Sequence, residues 1–535
     1  MIFTSVRCQR APSRSSRSVY PMTQLHKPPL RVLLEMRPAF GGHAGIPQAT
    51  RLLFRSLALL EEVRVEGLLQ THERVLSPGL PPRGMGWIGK LSTDQQLNRL
   101  GRVVIAMEQG TWASPAHATA LTIIMAVKHL LGGTEKLTRF DARHFQDFVW
   151  RKFFSRTLPS EDFALVMRAA FRIARVPWNA MHICGLATRK MGYPLYPRLD
   201  TSDFDVMIAE TPYPGTVSRN TKLVIRYHDA IPLLMPHTII DRRFHQAFHY
   251  RALRKNVESG AWFVCVSDAT RRDLVSVFPQ AEERSVTIHN MVSHHYTAEP
   301  SDVRRVPEIV RTRINTKIKP RMDFAFARTL LEDATSAEPF EYLLIVSTIE
   351  PRKNHLALLS AWEKLRVECF PKLKMLIVGS LGWHHKQIVR KFQPWLERGE
   401  SFLLEDVLAT ELRVLYSHAR ATVCPSFGEG FDFSGVEAMK CGSPVVASDI
   451  PVHREVYVDA AEFFNPYSVD SLSHAIQSLI DPAHSSRRED LIARGKVIAE
   501  RYVHDSILPK WQSFLQLQTS GVPTSATSTR SVAWT

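Results

Sequence analysis

Two carboxylates, Glu429 and Glu437, stand with seven residues between them in a stretch that runs from a glycine-containing turn into an apolar-periodic segment. Ser434 and Glu437 have the spacing of a capping box, which predicts a helix starting near Gly435 with its free backbone N–H groups aimed at the loop that holds Glu429. A helix start facing such a loop attracts anions, because the unpaired N–H groups and the helix dipole both favour negative charge. Each glutamate also has a plainer reading, Glu437 as a cap and Glu429 as a turn carboxylate. A second block, Glu350-Pro351-Arg352-Lys353-Asn354, follows a short apolar run at 342–347 that reads as a buried parallel strand. Arg352 and Lys353 then sit at a strand's carboxyl end, where ligands bind in an open α/β sheet, and two adjacent cations there can neutralise a departing diphosphate. The alternative is a solvated pair on a loop. His228 follows another such strand, at 222–227, where it could donate a hydrogen bond, act as a base, or serve the fold alone.

The elements that must hold these residues alternate between strand and helix. In the second half, strands are expected at 342–347, 373–378, 402–404 and 421–424, with helices at 355–367 and 411–418. In the first half, strands are expected at 31–35, 205–209, 222–227 and 262–266. The first of them runs into Gly41, Gly42 and Gly45 and then a helix over 48–62. Glycines between a strand and a helix let a ligand approach the backbone closely, although most such clusters are only turns. Ser267 is expected to cap a helix. The alternation implies parallel, doubly wound α/β sheets.

The quoted strings resemble the retaining glycosyltransferases of family 4. Glu429, Gly430-Phe431, Glu437-Ala438-Met439, Gly442 and Pro444-Val445 match that family's nucleotide-sugar signature, and Glu350 to Asn354 resembles its phosphate-binding loop. His228-Asp229 with Ile231-Pro232-Leu233 resembles its first-domain motif, and Gly45-Ile46 its amino-terminal loop. The resemblance implies a GT-B fold, two Rossmann-like domains facing each other across a cleft. It assigns Glu429 and Glu437 to hydroxyls of the donor's sugar and ribose, Lys353 and Arg352 to the diphosphate, and His228 to the transferred sugar. Gly45 would approach the donor phosphates through its backbone, and Phe431, Asp432, Phe433 and Ser434 form the donor loop. It further implies a retaining mechanism with a nucleotide-sugar co-substrate; no residue is an obvious covalent nucleophile. No metal is expected, since no Asp-x-Asp pair is suitably placed. Two departures stand out. Asp432 replaces the usual glycine, which a left-handed backbone tolerates but which adds a carboxylate near a diphosphate, and Ser347-Thr348-Ile349 stands where some members carry a further arginine. The strings at 348–354 and 448–456 look most like bacterial mannosyltransferases of polysaccharide assembly. GDP-mannose is therefore the expected donor and a glycan or lipid-linked saccharide the acceptor. A UDP-sugar enzyme, and a catalytically silent glycan- or membrane-binding scaffold, are the alternatives.

Composition fits this frame. The chain has 535 residues, 44% hydrophobic and 22% charged, enough for two cores. Six cysteines without close pairing read as reduced, buried thiols in the cytoplasm. The net charge of +16 points to anionic partners. No nucleic-acid module is present, so nucleic acid is not expected among them. No apolar run reaches the roughly 18–20 residues that span a bilayer. Arginines at helical spacing in 161–175 read as a basic helix, either on an anionic membrane at the inner face of the plasma membrane or packed on the protein's own core. The expected organisation is a basic leader or misassigned start at 1–30, with Met22 as the natural start, and an acceptor-side domain at 31–296 with an unplaced insertion at about 71–200. A linker at 297–340, a nucleotide-sugar domain at 341–517 and a disordered tail at 518–535 follow.

Overall fold

The computed structural model describes residues 28–42, 45–81, 91–109, 115–188, 194–239, 242–315 and 338–519. Two α/β domains face each other. The first is built on an eight-stranded sheet ordered Ser285–Thr287, Trp262–Cys265, Lys222–Tyr227, Val206–Ala209, Leu30–Glu35, Val63–Leu69, Ala170–Ile173 and Thr138–Phe140. All neighbours are parallel except the last pair. The second sheet is wholly parallel and six-stranded, ordered Ser401–Leu404, Lys374–Val378, Tyr342–Val346, Ala421–Cys424, Val445–Ser448 and Ala461–Phe464.

The strands are apolar runs because both faces of each sheet are covered. Val32 and Leu34 enter one core of the first sheet while Leu33 enters the other. Leu343 and Ile345 likewise face away from Leu344 in the second. Helix and strand ends lie within a few residues of expectation; the helix expected at 48–62, for example, is Ile46–Leu59.

Four features differ from the sequence reading. The stretch 161–175 is not a basic helix: a single turn at Phe163–Met167 gives way to the strand Ala170–Ile173. Arg172 is buried in that strand, its Nε 2.7 Å from Glu66 Oε2, so the membrane reading of this segment falls. The unplaced insertion supplies two strands of the first sheet, Ala170–Ile173 and Thr138–Phe140. The carboxyl-terminal helix His504–Thr519 packs on the first domain, where Ile507, Trp511, Phe514 and Leu515 join its core. Within the linker, helix Arg305–Arg313 buries Val306, Ile309 and Val310 in the second domain's core. Cys184, Cys265, Cys424 and Cys441 are buried and free as expected, whereas Cys369 is exposed. Nearly all of the expected leader and of the expected tail lies outside the described residues. Among the described residues no helix is long and apolar enough to cross a membrane.

Candidate functional site

The carboxyl ends of the two sheets bring the chemically competent residues together. After strand Tyr342–Val346 the chain makes a 3-10 turn, Pro351–Lys353, ended by Asn354 in the left-handed region. This turn aims two cations at one carboxylate. Lys353 Nζ lies 2.5 Å from Glu429 Oε1 and Arg352 NH1 lies 2.9 Å from Glu429 Oε2. Arg352 also donates to the Gly428 carbonyl at 2.5 Å and reaches Glu350 Oε1 at 2.7 Å, while the Phe427 N–H donates to the Arg352 carbonyl. Burial would raise the Glu429 carboxyl, but Arg352 and Lys353 overcome it and hold the group below the usual carboxylate range. An ionised carboxylate oxygen has two lone pairs, so each oxygen of Glu429 can still accept a hydroxyl hydrogen beside its cation.

The loop at 429–434 departs from the capping-box expectation. The helix is Phe433–Lys440, and its cap is Asp432, which has φ 61° and accepts from the Ser434 N–H at 3.2 Å and from the Ser434 hydroxyl at 2.6 Å. Aspartate takes the left-handed backbone that the family's glycine would, and its short side chain turns back to the helix start. Its added charge is met from below. His453 Nε2 lies 3.1 Å from Asp432 Oδ2, and His453 Nδ1 lies 2.9 Å from the Ser448 carbonyl. Burial alone would raise Asp432; the His453 hydrogen bond and charge, with Lys353 and Ser434, hold it well below the ordinary value. The Phe431 and Phe433 side chains are buried, Phe431 against Tyr502 and Phe433 at ring-centroid distances of 5.2 and 5.3 Å, so at these two positions the loop offers backbone rather than rings.

Glu437 does not cap its helix. It is buried at the domain interface, accepting from Gln48 Nε2 at 2.7 Å and from the Tyr416 hydroxyl at 3.2 Å. Burial pushes its carboxyl up to about 7.

The first domain contributes His228, at the end of strand Lys222–Tyr227. Its Nε2 lies 3.0 Å from Glu210 Oε2. A carboxylate only accepts, so Nε2 carries the hydrogen and Nδ1 is the nitrogen left for other chemistry. The network continues through Glu35, which accepts from the Glu210 N–H at 2.9 Å and meets Arg37 Nε at 2.6 Å. Arg37 reaches Thr211 Oγ1 at 2.7 Å and the His72 ring at 3.2 Å, and its guanidinium lies 4.1 Å from the Trp178 ring centroid. Gly45 has φ 71°, a conformation other residues adopt only with strain, and leads into Ile46–Leu59. Beneath it buried Arg51 donates to the carbonyls of Ala39, Gly41 and Gly42 and fixes the glycine turn.

The two halves meet closely. A Cβ on Gly430 would fall 1.8 Å from the His228 carbonyl oxygen, so only glycine lets the 429–434 loop rest on the His228 turn. Thr270 Oγ1 donates to the Gly430 carbonyl at 3.3 Å. Ser267 caps the helix Asp268–Val277, as expected, accepting from the Thr270 N–H. Glu455 of the second domain accepts from the N–H groups of Asp268 and Ala269 at 2.6 and 2.8 Å. Gln48, His453, Glu455, Arg37 and Glu210 were not singled out from the sequence. His453 and Glu455 lie inside the 448–456 string, but Asp432 and the Asp268 and Ala269 N–H groups that they meet lie outside it.

Comparison with known proteins agrees in both halves. The family model for glycosyl transferases group 1 matches residues 328–497, and that for Glycosyltransferase Family 4 matches residues 153–296. O-antigen chain mannosyltransferase B of Escherichia coli is 29% identical over 253 residues, 47% of this chain and 59% of that protein. O-antigen chain mannosyltransferase RfbU of Salmonella typhimurium is 41% identical over 92 residues, 17% of this chain and 26% of that one. The chain thus spans less than two thirds of these relatives. Among solved structures, sucrose-phosphate synthase of Thermosynechococcus elongatus has a TM-score of 0.52 at 14% identity, covering 91% of this chain and 99% of that one. The Anabaena protein Alr3699/HepE, solved with UDP and glucose, has a TM-score of 0.50 at 14% identity, covering 91% and 100%. Such identities speak for the fold.

Proposed function

The chain belongs to the family 4 glycosyltransferases and has their GT-B fold, and from that premise we propose that it transfers mannose from GDP-mannose, with retention, to a glycan or lipid-linked saccharide in cell-surface polysaccharide synthesis. The observation that carries this reading is the Glu429 carboxylate held between Lys353 and Arg352 beside the start of helix Phe433–Lys440, with the His228 turn packed against the same loop. In this reading Lys353, Arg352 and the helix start stabilise the diphosphate as its bond to the sugar breaks, and no metal ion is needed for that charge. Glu429 accepts from sugar hydroxyls, Glu437 from the ribose, and His228, oriented by Glu210, faces the sugar. The backbone of Gly45 lines the phosphates, with Asp432 and Ser434 shaping the loop. The mannose assignment rests on the 348–354 and 448–456 strings and on the names of the O-antigen relatives. In this reading the site of action is the cytoplasm.

The test is a thermal-shift screen against GDP-mannose, GDP, UDP-glucose, UDP-N-acetylglucosamine and UDP, with and without chelator, followed by donor turnover. Stabilisation by GDP and GDP-mannose that survives chelation supports the reading. Selective stabilisation by the UDP series transfers it to a UDP-sugar enzyme. Silence toward every nucleotide, without turnover, leaves the non-catalytic scaffold.

A further inference from the structure

Tyr467 is 83% exposed, yet its ring is held in place. It stacks on Phe427, with ring centroids 5.3 Å apart and planes inclined by 29°. Tyr467 follows strand Ala461–Phe464 and Phe427 follows strand Ala421–Cys424, so the pair stands at the carboxyl edge of the second sheet, where ligands bind. Both members are tied to the loop that carries the cations. The Phe427 N–H donates to the Arg352 carbonyl at 2.9 Å, and Asn354, the residue after Lys353, donates from Nδ2 to the Pro466 carbonyl at 3.1 Å. Asn465 Oδ1 accepts from the Tyr467 N–H at 3.0 Å, which closes the turn at 465–467 and sets where the ring leaves the backbone. Single exposed aromatics are ordinary on a protein surface. One whose turn is hydrogen-bonded to the Arg352–Asn354 loop has a set position relative to Glu429.

Position and chemistry identify what the pair meets. Phe427 is bonded to Arg352, whose guanidinium lies 2.9 Å from Glu429 Oε2. In the transferase reading, on which this inference rests, Glu429 takes the donor's sugar and Glu437 its ribose, so the pair stands at the sugar end of the donor rather than the base end. Beside Phe427, a Cβ on Gly428 would come 2.8 Å from Met235 Sδ of the first domain, so the pair also borders the cleft between the domains. What lies past the donor's sugar at that border is the acceptor. An aromatic face is electron-rich and attracts the face of a pyranose ring, whose C–H groups are polarised by the neighbouring oxygens. Neither ring carries a charge, and the Tyr467 hydroxyl can donate to or accept from a sugar hydroxyl. A neutral saccharide is the complement of such a surface.

We infer that Tyr467, stacked on Phe427, is a platform for a hexose unit of the acceptor saccharide, supplied by the second domain. The phosphate loop sets its distance from the reacting sugar, because Arg352 and Asn354 hold the two turns from which the rings project.

The test is saturation-transfer NMR and calorimetric titration of the full-length protein with mannotetraose and with maltotetraose, each with and without GDP. The parent, Tyr467→Ala and Tyr467→Trp are compared, and the melting-temperature shift given by GDP alone is recorded for each. The substituted ring is exposed, so unchanged melting temperatures are expected without ligand. The platform is supported if the parent binds a tetrasaccharide, Tyr467→Ala binds it about tenfold more weakly, Tyr467→Trp restores binding, and the GDP shift is the same in all three. It is overturned if the parent binds neither saccharide, or if Tyr467→Ala binds as the parent does. It is also overturned if Tyr467→Ala loses the GDP shift, since the occupant would then be the nucleotide base. The transferase reading fails separately: a parent that no nucleotide stabilises, and that still binds saccharide through Tyr467, leaves the platform standing without the donor.

Discussion

Gln48 and Glu437 are 389 residues apart in sequence and 2.7 Å apart in space, and their hydrogen bond joins helix Ile46–Leu59 of one domain to helix Phe433–Lys440 of the other. The Glu437 carboxyl is thereby enclosed, and burial raises it from 4.5 to about 7. Its effect on stability has a definite sign. Below pH 4.5 the group is protonated folded or unfolded. Between 4.5 and about 7 the unfolded chain has released the proton and the native state still holds it, so this group's contribution to stability falls as pH rises, and it is gone above the folded value. The interval corresponds to at most about 3 kcal/mol. Glu437→Gln, which can still accept from Gln48 and Tyr416, should flatten that decline. The check is melting temperature from pH 4.5 to 8 for parent and variant. Parallel curves would remove Glu437 as the source.

The Glu429 cluster predicts unequal effects for its members. Lys353→Ala leaves Glu429 paired with Arg352, so the loss of stability should be small while turnover is abolished. Glu429→Ala leaves the largely buried Lys353 without its carboxylate and Arg352 with Glu350 alone, which costs about 3 kcal/mol in addition to the lost turnover. Added GDP should recover more stability in Glu429→Ala than in the parent, because its diphosphate supplies the missing negative charge. Thermal melts of both variants with and without GDP test this ordering; equal melting temperatures in the absence of ligand would reject it.

Asp432 stands where the family's glycine is expected, and the structure gives it two tasks, capping Ser434 N–H and pairing His453. Asp432→Gly keeps the left-handed backbone yet leaves the buried His453 Nε2 without its acceptor, for a loss of about 1–3 kcal/mol. His453→Ala should lose comparable stability by stranding Asp432. If the two residues act as one unit, the double variant is less destabilised than the sum of the singles. Chemical denaturation of the set measures the coupling, and additivity would show that the pair does not matter.

What could be read in the sequence was local. The strand at 342–346 and the turn at 351–354 are continuous in the chain, and their apolar run and turn residues state their structure directly. The left-handed backbone at Asp432 is legible only through the resemblance, which puts glycine at that position. Glu437 was misread because a Ser-x-x-Glu spacing is satisfied equally by a cap and by a carboxylate that faces a partner 389 residues away. The arginines of 161–175 have a spacing that fits a helix, whereas Arg172 sits in a strand with its guanidinium on Glu66 of the neighbouring strand, a pairing no local pattern encodes. The network from His228 to Arg37 and His72 was missed because strand order, not sequence order, places 35, 72 and 210 together at one sheet edge.

Strand order also sets Glu455, at the end of the 448–456 string, against the first domain. Its two oxygens accept from the N–H groups of Asp268 and Ala269, at the start of helix Asp268–Val277, and Oε1 lies 2.9 Å from His289 Nε2. A carboxylate is favoured at a helix amino terminus, and here it comes from the facing domain, so the contact holds the cleft closed. Burial would raise the Glu455 carboxyl, but His289 and the two backbone donors hold it below its usual value. A depressed carboxyl contributes its stability above the unfolded value of about 4.5 and loses it as pH falls through the lower folded value. The closed arrangement should therefore loosen on acidification in the parent and already be loose at neutral pH in Glu455→Ala. Small-angle scattering of the ligand-free proteins should show a larger radius of gyration for the variant, and GDP should bind it more weakly while Lys353 and Glu429 are intact. An unchanged radius with unchanged GDP affinity would mean that the remaining contacts, Gln48 to Glu437 and Thr270 to Gly430 among them, suffice to hold the domains together.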